Sequence, residues 1–361
     1  INIAFRASGK VSDVLATDER FIIGASNGIY VFKKDGKLEK FVHEELVSDL
    51  LLIDDILIVS TYGQTFPNVI AFRFPNMEKL WEFKPTMRSF DIHLVWKEAE
   101  TRTWKVKRFN NYVGVCSGHT FYLLTKEGKV KAKFKTPNDI WDVLQKDGTY
   151  YLACQDGNVY ILDENLVLIK KLKLVPEFNL IDPITNITIA TFSRSVWQLV
   201  DVGNAIAALS EDGMVYFISE DSVTANVSVE KYSNSALYSY YKRIKRETSF
   251  GDENFKNLVG IRVDDKLLVK TPRKIAMVTP EGIVWGTKVD PRIDTNFCIR
   301  KDSLYIPALP SSETEAIKAF YIKDGKLRTT LTLNVSLLPP NNYYIFCDDS
   351  GLLICSDVEI K

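Results

Sequence analysis

The chain is poor in the residues that build catalytic and metal centres. It holds three histidines, His43, His93 and His119, in 361 residues. Its five cysteines, Cys116, Cys154, Cys298, Cys347 and Cys355, include no adjacent pair and no Cys-X-X-Cys. No His/Cys spacing of the zinc type occurs, so neither a structural nor a catalytic metal is expected. The cysteine count is odd, and each cysteine sits in an apolar strand pattern. That pattern predicts buried thiols in a reducing compartment rather than disulfides. Net charge is also missing, since 46 Lys and Arg balance 46 Asp and Glu. A globally basic nucleic-acid binder is thereby excluded, leaving only a local patch. No apolar run approaches the roughly 20 residues of a membrane-spanning helix. No secretory signal stands at the N-terminus, although a leader removed before Ile1 stays open. The expected location is cytoplasmic. Asn186, Asn226 and Asn334 form Asn-X-Ser/Thr triplets, a pattern common by chance. No catalytic motif stands out, so no catalytic residue and no cofactor are assigned.

What the chain does have is a repeat. An apolar strand, an acidic or Gly turn, a second and third apolar strand and a Lys-rich fourth strand recur eight times. First strands read Val11-Ser12-Asp13-Val14, Val47-Ser48-Asp49-Leu50, Phe90-Asp91-Ile92, Ile140-Trp141-Asp142-Val143 and Val196-Trp197-Gln198-Leu199. Weaker copies begin at Val259, Asn296 and Tyr343. Asp18, Asp54, Asp147, Asp265, Asp302 and Asp348 mark the turn that follows, where a short polar side chain bonds nearby backbone. Second strands such as Ile56-Leu57-Ile58-Val59 are apolar on both faces, as expected of strands packed between sheets. Fourth strands such as Gly128-Lys129-Val130-Lys131-Ala132-Lys133-Phe134 alternate, which predicts one solvated face.

A radial repeat of four-stranded antiparallel units predicts an all-β propeller in one domain. The count is eight blades, or seven if a weak copy is not a full unit. Their approximate bounds are 11–45, 46–87, 88–137, 138–177, 178–231, 232–291, 292–334, and 335–361 completed by 1–10. The last unit lacks a fourth strand, and Ile1-Asn2-Ile3-Ala4-Phe5 alternates correctly to supply it. Pairing residues 1–5 with 357–361 would close the ring and cover open strand edges.

The segments from third to fourth strand, Gly28 to Phe41 and Gly157 to Leu172, with Trp81 and Trp285 on fourth strands, resemble the pyrroloquinoline-quinone-type repeat family. That family comprises propellers built like quinoprotein dehydrogenases, together with the outer-membrane assembly lipoprotein that shares their blades; WD40-like propellers share the architecture. The resemblance spans nearly the whole chain and implies a propeller fold. Quinoprotein enzymes of the family hold their cofactor with a vicinal disulfide, a calcium ion and a catalytic Asp. This chain has no Cys-Cys pair, and no calcium ligand set maps onto it. The expected role is therefore a non-catalytic scaffold for protein–protein interaction within a larger assembly. A quinoprotein-like oxidoreductase or small-ligand binder is the alternative.

Three surfaces are candidates for binding. The insertion 232–256 carries Tyr238, Tyr240 and Tyr241 beside Lys242, Arg243, Lys245 and Arg246. Tyr and Arg suit a protein interface, and the same mixture can stack and neutralise single-stranded nucleic acid. A solvated loop is the plain reading. The second surface is the predicted channel mouth, with Asp13, Asp49, Asp91, Asp142 and Gln198 on the first strands. These side chains either hold a cation or basic peptide, or bond backbone N–H groups of the next blade. The third is a hairpin expected within blade 3, bearing Trp96, Trp104, Lys105, Lys107 and Arg108. The long segment 173–195 is expected to lie near the 232–256 insertion.

Overall fold

The computed structural model describes residues 9–44, 46–61, 69–90, 96–100, 103–181, 188–230, 258–271, 273–289, 297–308, 315–333, 343–348 and 351–356. Every regular element among them is a β-strand. Blade 1 comprises β1 (Val11–Ala16), β2 (Arg20–Ala25), β3 (Gly28–Lys33) and β4 (Leu38–Val42). Blade 2 comprises β5 (Val47–Ile53), β6 (Ile56–Thr61), β7 (Val69–Arg73) and β8 (Glu78–Phe83). A separate hairpin, β9 (Thr86–Phe90) with β10 (Trp96–Glu100), precedes blade 3. Blade 3 comprises β11 (Thr103–Phe109), β12 (Tyr112–Ser117), β13 (Thr120–Thr125) and β14 (Val130–Lys135). Blade 4 comprises β15 (Ile140–Lys146), β16 (Thr149–Cys154), β17 (Asn158–Leu162) and β18 (Leu168–Lys173).

A second separate hairpin, β19 (Phe178–Ile181) with β20 (Thr188–Phe192), precedes blade 5. Blade 5 comprises β21 (Val196–Asp201), β22 (Ile206–Ser210), β23 (Met214–Ser219) and β24 (Ser222–Ser228). Blade 6 comprises β25 (Val259–Val263), β26 (Lys266–Lys270), β27 (Lys274–Thr279) and β28 (Gly282–Lys288). Blade 7 comprises β29 (Cys298–Arg300), β30 (Ser303–Ala308), β31 (Glu315–Tyr321) and β32 (Leu327–Leu333). The last hairpin is β33 (Tyr343–Asp348) with β34 (Gly351–Ser356).

The seven four-stranded sheets each run in sequence order, so the fold is an all-β propeller with antiparallel blades. The eighth repeat is represented among the described residues by β33–β34 alone. The expected pairing of residues 1–5 with 357–361 lies outside the described residues. Two compact units are distinguished: Ile1–Lys135, Thr295–Ala319 and Arg328–Lys361 form one, Thr136–Asp294 and Phe320–Leu327 the other.

Within the first unit, Ile22, Ile29 and Val31 of blade 1 pack on Val47, Leu57 and Val59 of blade 2. Ile58 and Ala71 of blade 2 pack in turn on Val106, Val115 and Leu124 of blade 3. Within the second unit, Ala153 and Ile161 of blade 4 meet Leu199 and Ala208 of blade 5. Leu209 and Phe217 of blade 5 meet Leu267 and Val269 of blade 6. This explains why second and third strands are apolar on both faces, since each is covered by a neighbouring sheet. Fourth strands stay exposed, as their alternation requires; β18 and β14 are solvated along most of their length. Six of them carry a bulge opposite the end of the third strand, between residue pairs such as Val31/Phe32 and Ile161/Leu162. Bulges of this kind twist an edge away from unwanted pairing.

The tryptophans of the fourth strands dock on glycines of the following blade. Trp81 Nε1 donates to the Lys126 carbonyl at 2.7 Å, and its ring lies over Gly128. A Cβ at Gly128 would sit 2.6 Å from that ring, and its φ of +79° is left-handed besides. Trp285 covers Gly325 in the same way, where a Cβ would lie 2.4 Å from the ring. Glycine is required at both positions by close approach as well as by backbone conformation.

Candidate functional site

The first strands of blades 1 to 5 share one local irregularity. Each carries a bulge, between Val11 and Asp13, Val47 and Asp49, Thr103 and Lys105, Ile140 and Asp142, and Val196 and Gln198. One extra residue is inserted: Ser12, Ser48, Trp104, Trp141 or Trp197. A bulge re-aims the side chain beside it; in blades 1, 2, 4 and 5 it aims a polar side chain at the next blade, and in blade 3 it aims Lys105 back at Asp49 of blade 2. Asp13 Oδ2 accepts from Leu50 N–H at 2.9 Å. Asp49 Oδ2 accepts from Val106 N–H at 2.9 Å. Asp142 Oδ2 accepts from Leu199 N–H at 2.9 Å. Gln198 completes the series with both ends of its amide: Gly260 N–H donates to Oε1, and Nε2 donates to the Gly260 carbonyl, each at 2.9 Å. The other oxygens of Asp13 and Asp142 accept from their own neighbours, Val14 N–H and Val143 N–H. These side chains therefore act as latches between consecutive blades.

Electrostatics differ along the series. Asp49 is buried, and its second oxygen takes Lys105 Nζ at 3.1 Å. Asp13 is pushed up to about 7, first by burial and next by the neighbouring Asp49 charge. Lys105 and the two backbone N–H groups pull the other way. A hydroxyl cluster backs this region: Ser48 and Ser60 lie 2.8 Å apart, Ser48 Oγ donates to the Thr103 carbonyl, and Thr103 Oγ1 donates to Ser117 Oγ. All four side chains are buried.

Two expectations from the sequence need correction. The first strand of blade 3 is Thr103–Phe109, not Phe90-Asp91-Ile92. Residues 86–90 instead form one arm of the β9–β10 hairpin, and Asp91 lies outside the described residues. Lys105, not an aspartate, occupies the latch position of this blade. The expected surface of Trp96, Trp104, Lys105, Lys107 and Arg108 is accordingly split between two elements. Trp96 belongs to β10, whereas the other four lie on β11. Trp104 is 7% exposed, Lys105 is partly exposed but tied to Asp49, and Lys107 and Arg108 retain solvent access. The physical reason is register. Thr103-Trp104-Lys105-Val106 has the same apolar-facing spacing as Ile140-Trp141-Asp142-Val143, and burying Trp104 and Val106 decides which segment becomes the inner strand. Both separate hairpins, β9–β10 and β19–β20, thus sit in connections from a fourth strand to the next first strand. The segment 173–195 contains the second of them. The patch Tyr238, Tyr240, Tyr241, Lys242, Arg243, Lys245 and Arg246 lies outside the described residues.

The structure also brings together residues that the pattern alone did not pair. In blades 1, 4 and 5 a polar residue before the second-to-third-strand glycine meets a tyrosine hydroxyl. Tyr160 Oη donates to Asp156 Oδ2 at 2.7 Å and Tyr216 Oη to Asp212 Oδ2 at 3.1 Å, while Asn27 Nδ2 donates to Tyr30 Oη at 2.9 Å. Burial and the adjacent carboxylate raise both Tyr160 and Tyr216 above the ordinary phenol range. The signal was present in Ser26-Asn27-Gly28-Ile29-Tyr30, Asp156-Gly157-Asn158-Val159-Tyr160 and Asp212-Gly213-Met214-Val215-Tyr216. The indoles of Trp141 and Trp197 meet at 4.8 Å between centroids, tilted by 49°.

The cysteines depart from expectation. Cys298 and Cys347 form a disulfide, while Cys116 and Cys154 are buried and outside any disulfide. Burial pushes the Cys154 thiol up to about 12. Cys355 lies on β34, opposite Tyr344 in register. Among the described residues no group of three His, Cys, Asp or Glu is placed to hold a metal ion, and no helix is long and apolar enough to cross a membrane.

No protein-family model matches the sequence, and no curated protein matches it. Solved structures do match its fold. BamB from Moraxella catarrhalis superposes with a TM-score of 0.59 at 11% identity, over 95% of each chain. The WD40 β-propeller domain of Doa1 superposes at 0.51 and 12% identity, over 98% of this chain and 92% of that one. KlHsv2 with loop 6CD replaced by a Gly-Ser linker superposes at 0.52 and 9% identity, over 90% and 99%. At such identities the likeness is one of fold.

Proposed function

We propose that the protein is a non-catalytic propeller scaffold that binds other proteins within a larger assembly. The observation that carries this reading is the occupation of the inner-strand polar groups. Asp13, Asp49 and Asp142 each give one oxygen, and Gln198 both ends of its amide, to backbone of the next blade, while the second oxygens are engaged by Val14 N–H, Lys105 and Val143 N–H. Catalysis needs groups aimed at where charge develops in a substrate, and these groups are aimed at the protein itself. The likeness to BamB favours the pyrroloquinoline-quinone-type repeat as the kind of blade, while the Doa1 domain shares only the general architecture. Binding is assigned to long connections carried by the rigid blades. The first of these is the 232–256 insertion, with Tyr238, Tyr240 and Tyr241 as contact area and Lys242, Arg243, Lys245 and Arg246 as steering charge.

The test is capture of native partners by the wild-type chain and by a variant with Tyr240, Tyr241, Arg243 and Arg246 all replaced by Ala. On this reading the four side chains serve contact and not packing, so the variant should melt with the wild type; surface changes usually cost within about 0.5 kcal/mol. It should bind the captured protein about tenfold more weakly, or about 1.4 kcal/mol. Equal binding by a folded variant overturns the assignment. A preference of this patch for single-stranded oligonucleotide over any protein, falling steeply with salt, would move the reading to nucleic acid.

A further inference from the structure

We propose that Cys298 and Cys347 form a built clasp, made by oxidation, that fastens the last described hairpin to blade 7, and that the chain works where a disulfide oxidant is present. The two residues belong to different repeats and lie 49 positions apart. Both sit on first strands, Cys298 opening β29 and Cys347 near the end of β33, with Cα atoms 5.6 Å apart. That separation falls within the range of about 4.4–6.8 Å that a disulfide spans without backbone movement.

The place of the bond gives it a task. β33–β34 is a two-stranded sheet among the described residues, and such a sheet is marginal unless something holds it. Its described apolar anchors lie on β33. Ile345 packs with Cys298 and Ile317, and Phe346 meets Phe21 of blade 1 edge to face at 6.5 Å. The bond joins this hairpin covalently to β29 on one side while Phe346 ties it to blade 1 on the other. A cross-link over a loop of this length removes much freedom from the unfolded chain.

Chemical access separates this pair from Cys116 and Cys154. Cys347 is half-buried, so an oxidant or reductant has a way in, whereas Cys116 and Cys154 are fully buried. The step is thiol–disulfide exchange with a small-molecule or protein disulfide. One cysteine, as thiolate, attacks a sulfur of the oxidant, giving a mixed disulfide and releasing one thiol. The second attacks the protein sulfur of that mixed disulfide and releases the other thiol. Two electrons and two protons pass from the pair to the oxidant. Disulfides persist in oxidising compartments and are rare in a reducing cytosol. The clasp therefore argues against the reducing compartment expected from the cysteine count.

The full chain, purified without reductant and equilibrated with oxidised glutathione, should be unfolded and alkylated with N-ethylmaleimide. Three of the five cysteines should be labelled, and all five after reduction. A cross-linked peptide should join Cys298 to Cys347. Hydrogen exchange in 343–356 should then rise at least tenfold on reducing the wild type, with blades 2 and 3 unchanged. Cys298→Ser and Cys347→Ser should each reproduce that rise in oxidising buffer, and each should melt about 3–5 °C lower. Five labels before reduction overturn the clasp, as does a bond that uses Cys355 instead. Unchanged exchange in 343–356 on reduction overturns its fastening role even if the bond forms.

Discussion

The blade junctions of the two units are built to one plan with different charges. In the first unit, blades 1 to 3 are joined by two carboxylates, Asp13 and Asp49, with Lys105 paired to Asp49. In the second, blades 4 to 6 are joined by one carboxylate, Asp142, and one neutral amide, Gln198. The backbone geometry is the same in each, a first-strand bulge followed by a side chain that bonds the next first strand. A neutral glutamine does the same work as an aspartate, and does it with two bonds instead of one. Charge is therefore incidental to the latch, which needs an acceptor of the right length. Blade joining accounts for an acceptor at each of these positions.

The largest effect should come from breaking a charged latch in the first unit. Asp49→Ala removes the acceptor of a buried N–H at Val106 and the partner of Lys105. It should cost about 2–4 kcal/mol in chemical denaturation, because a buried donor is left unsatisfied. If Asp49→Ala unfolds within about 0.5 kcal/mol of wild type, the latch contributes little and the comparison fails. Gln198→Glu should come next, at about 1–3 kcal/mol. The carboxylate keeps the bond from Gly260 N–H but loses the donor to the Gly260 carbonyl and sets charge against it. A neutral outcome would mean that the second bond of Gln198 is idle.

A third difference is a pH dependence, between about pH 4 and 7, that Asp13 brings to the first unit. Asp13 lies above its unfolded value because burial and Asp49 oppose its ionisation, against Lys105 and the N–H groups of Val14 and Leu50. A raised carboxyl pKa stabilises the fold when the group is protonated. Its contribution is full below about pH 4 and is lost as pH rises through about 7. Relative to Asp13→Asn, the wild type should lose stability across that window. Relative to Gln198→Leu, it should show no such slope between pH 5 and 8. A parallel pair of curves for Asp13→Asn and wild type would remove the electrostatic distinction between the units.

Much of this architecture was legible in the sequence, because strand alternation and double-faced apolar strands are short-range signals. Val47-Ser48-Asp49-Leu50 and Val196-Trp197-Gln198-Leu199 locate their first strands unaided. The miss at blade 3 has a physical cause. Phe90-Asp91-Ile92 offers the local pattern of a first strand, but Thr103-Trp104-Lys105-Val106 offers more apolar surface to bury, and tertiary packing decided between them. The Cys298–Cys347 bond was illegible for a different reason. Each cysteine fits an apolar strand, and only the meeting of two repeats 49 positions apart brings the sulfurs together. The latch acceptors were visible as residues, but their targets were not, since Leu50, Val106, Leu199 and Gly260 bond through backbone that carries no sequence mark. The Tyr30, Tyr160 and Tyr216 hydroxyl contacts had a readable signature in the Asx-Gly turns.

The most direct test of the account is the melting temperature of Asp142→Ala with and without millimolar calcium. Asp142 is buried, and its two oxygens are engaged by Val143 and Leu199 N–H. The account predicts a fall of about 3–5 °C from the unsatisfied N–H groups, and no effect of calcium on variant or wild type. A variant that melts with the wild type contradicts it. So does calcium that stabilises the wild type and loses that effect in Asp142→Ala, because the aspartate would then be a ligand and not a latch.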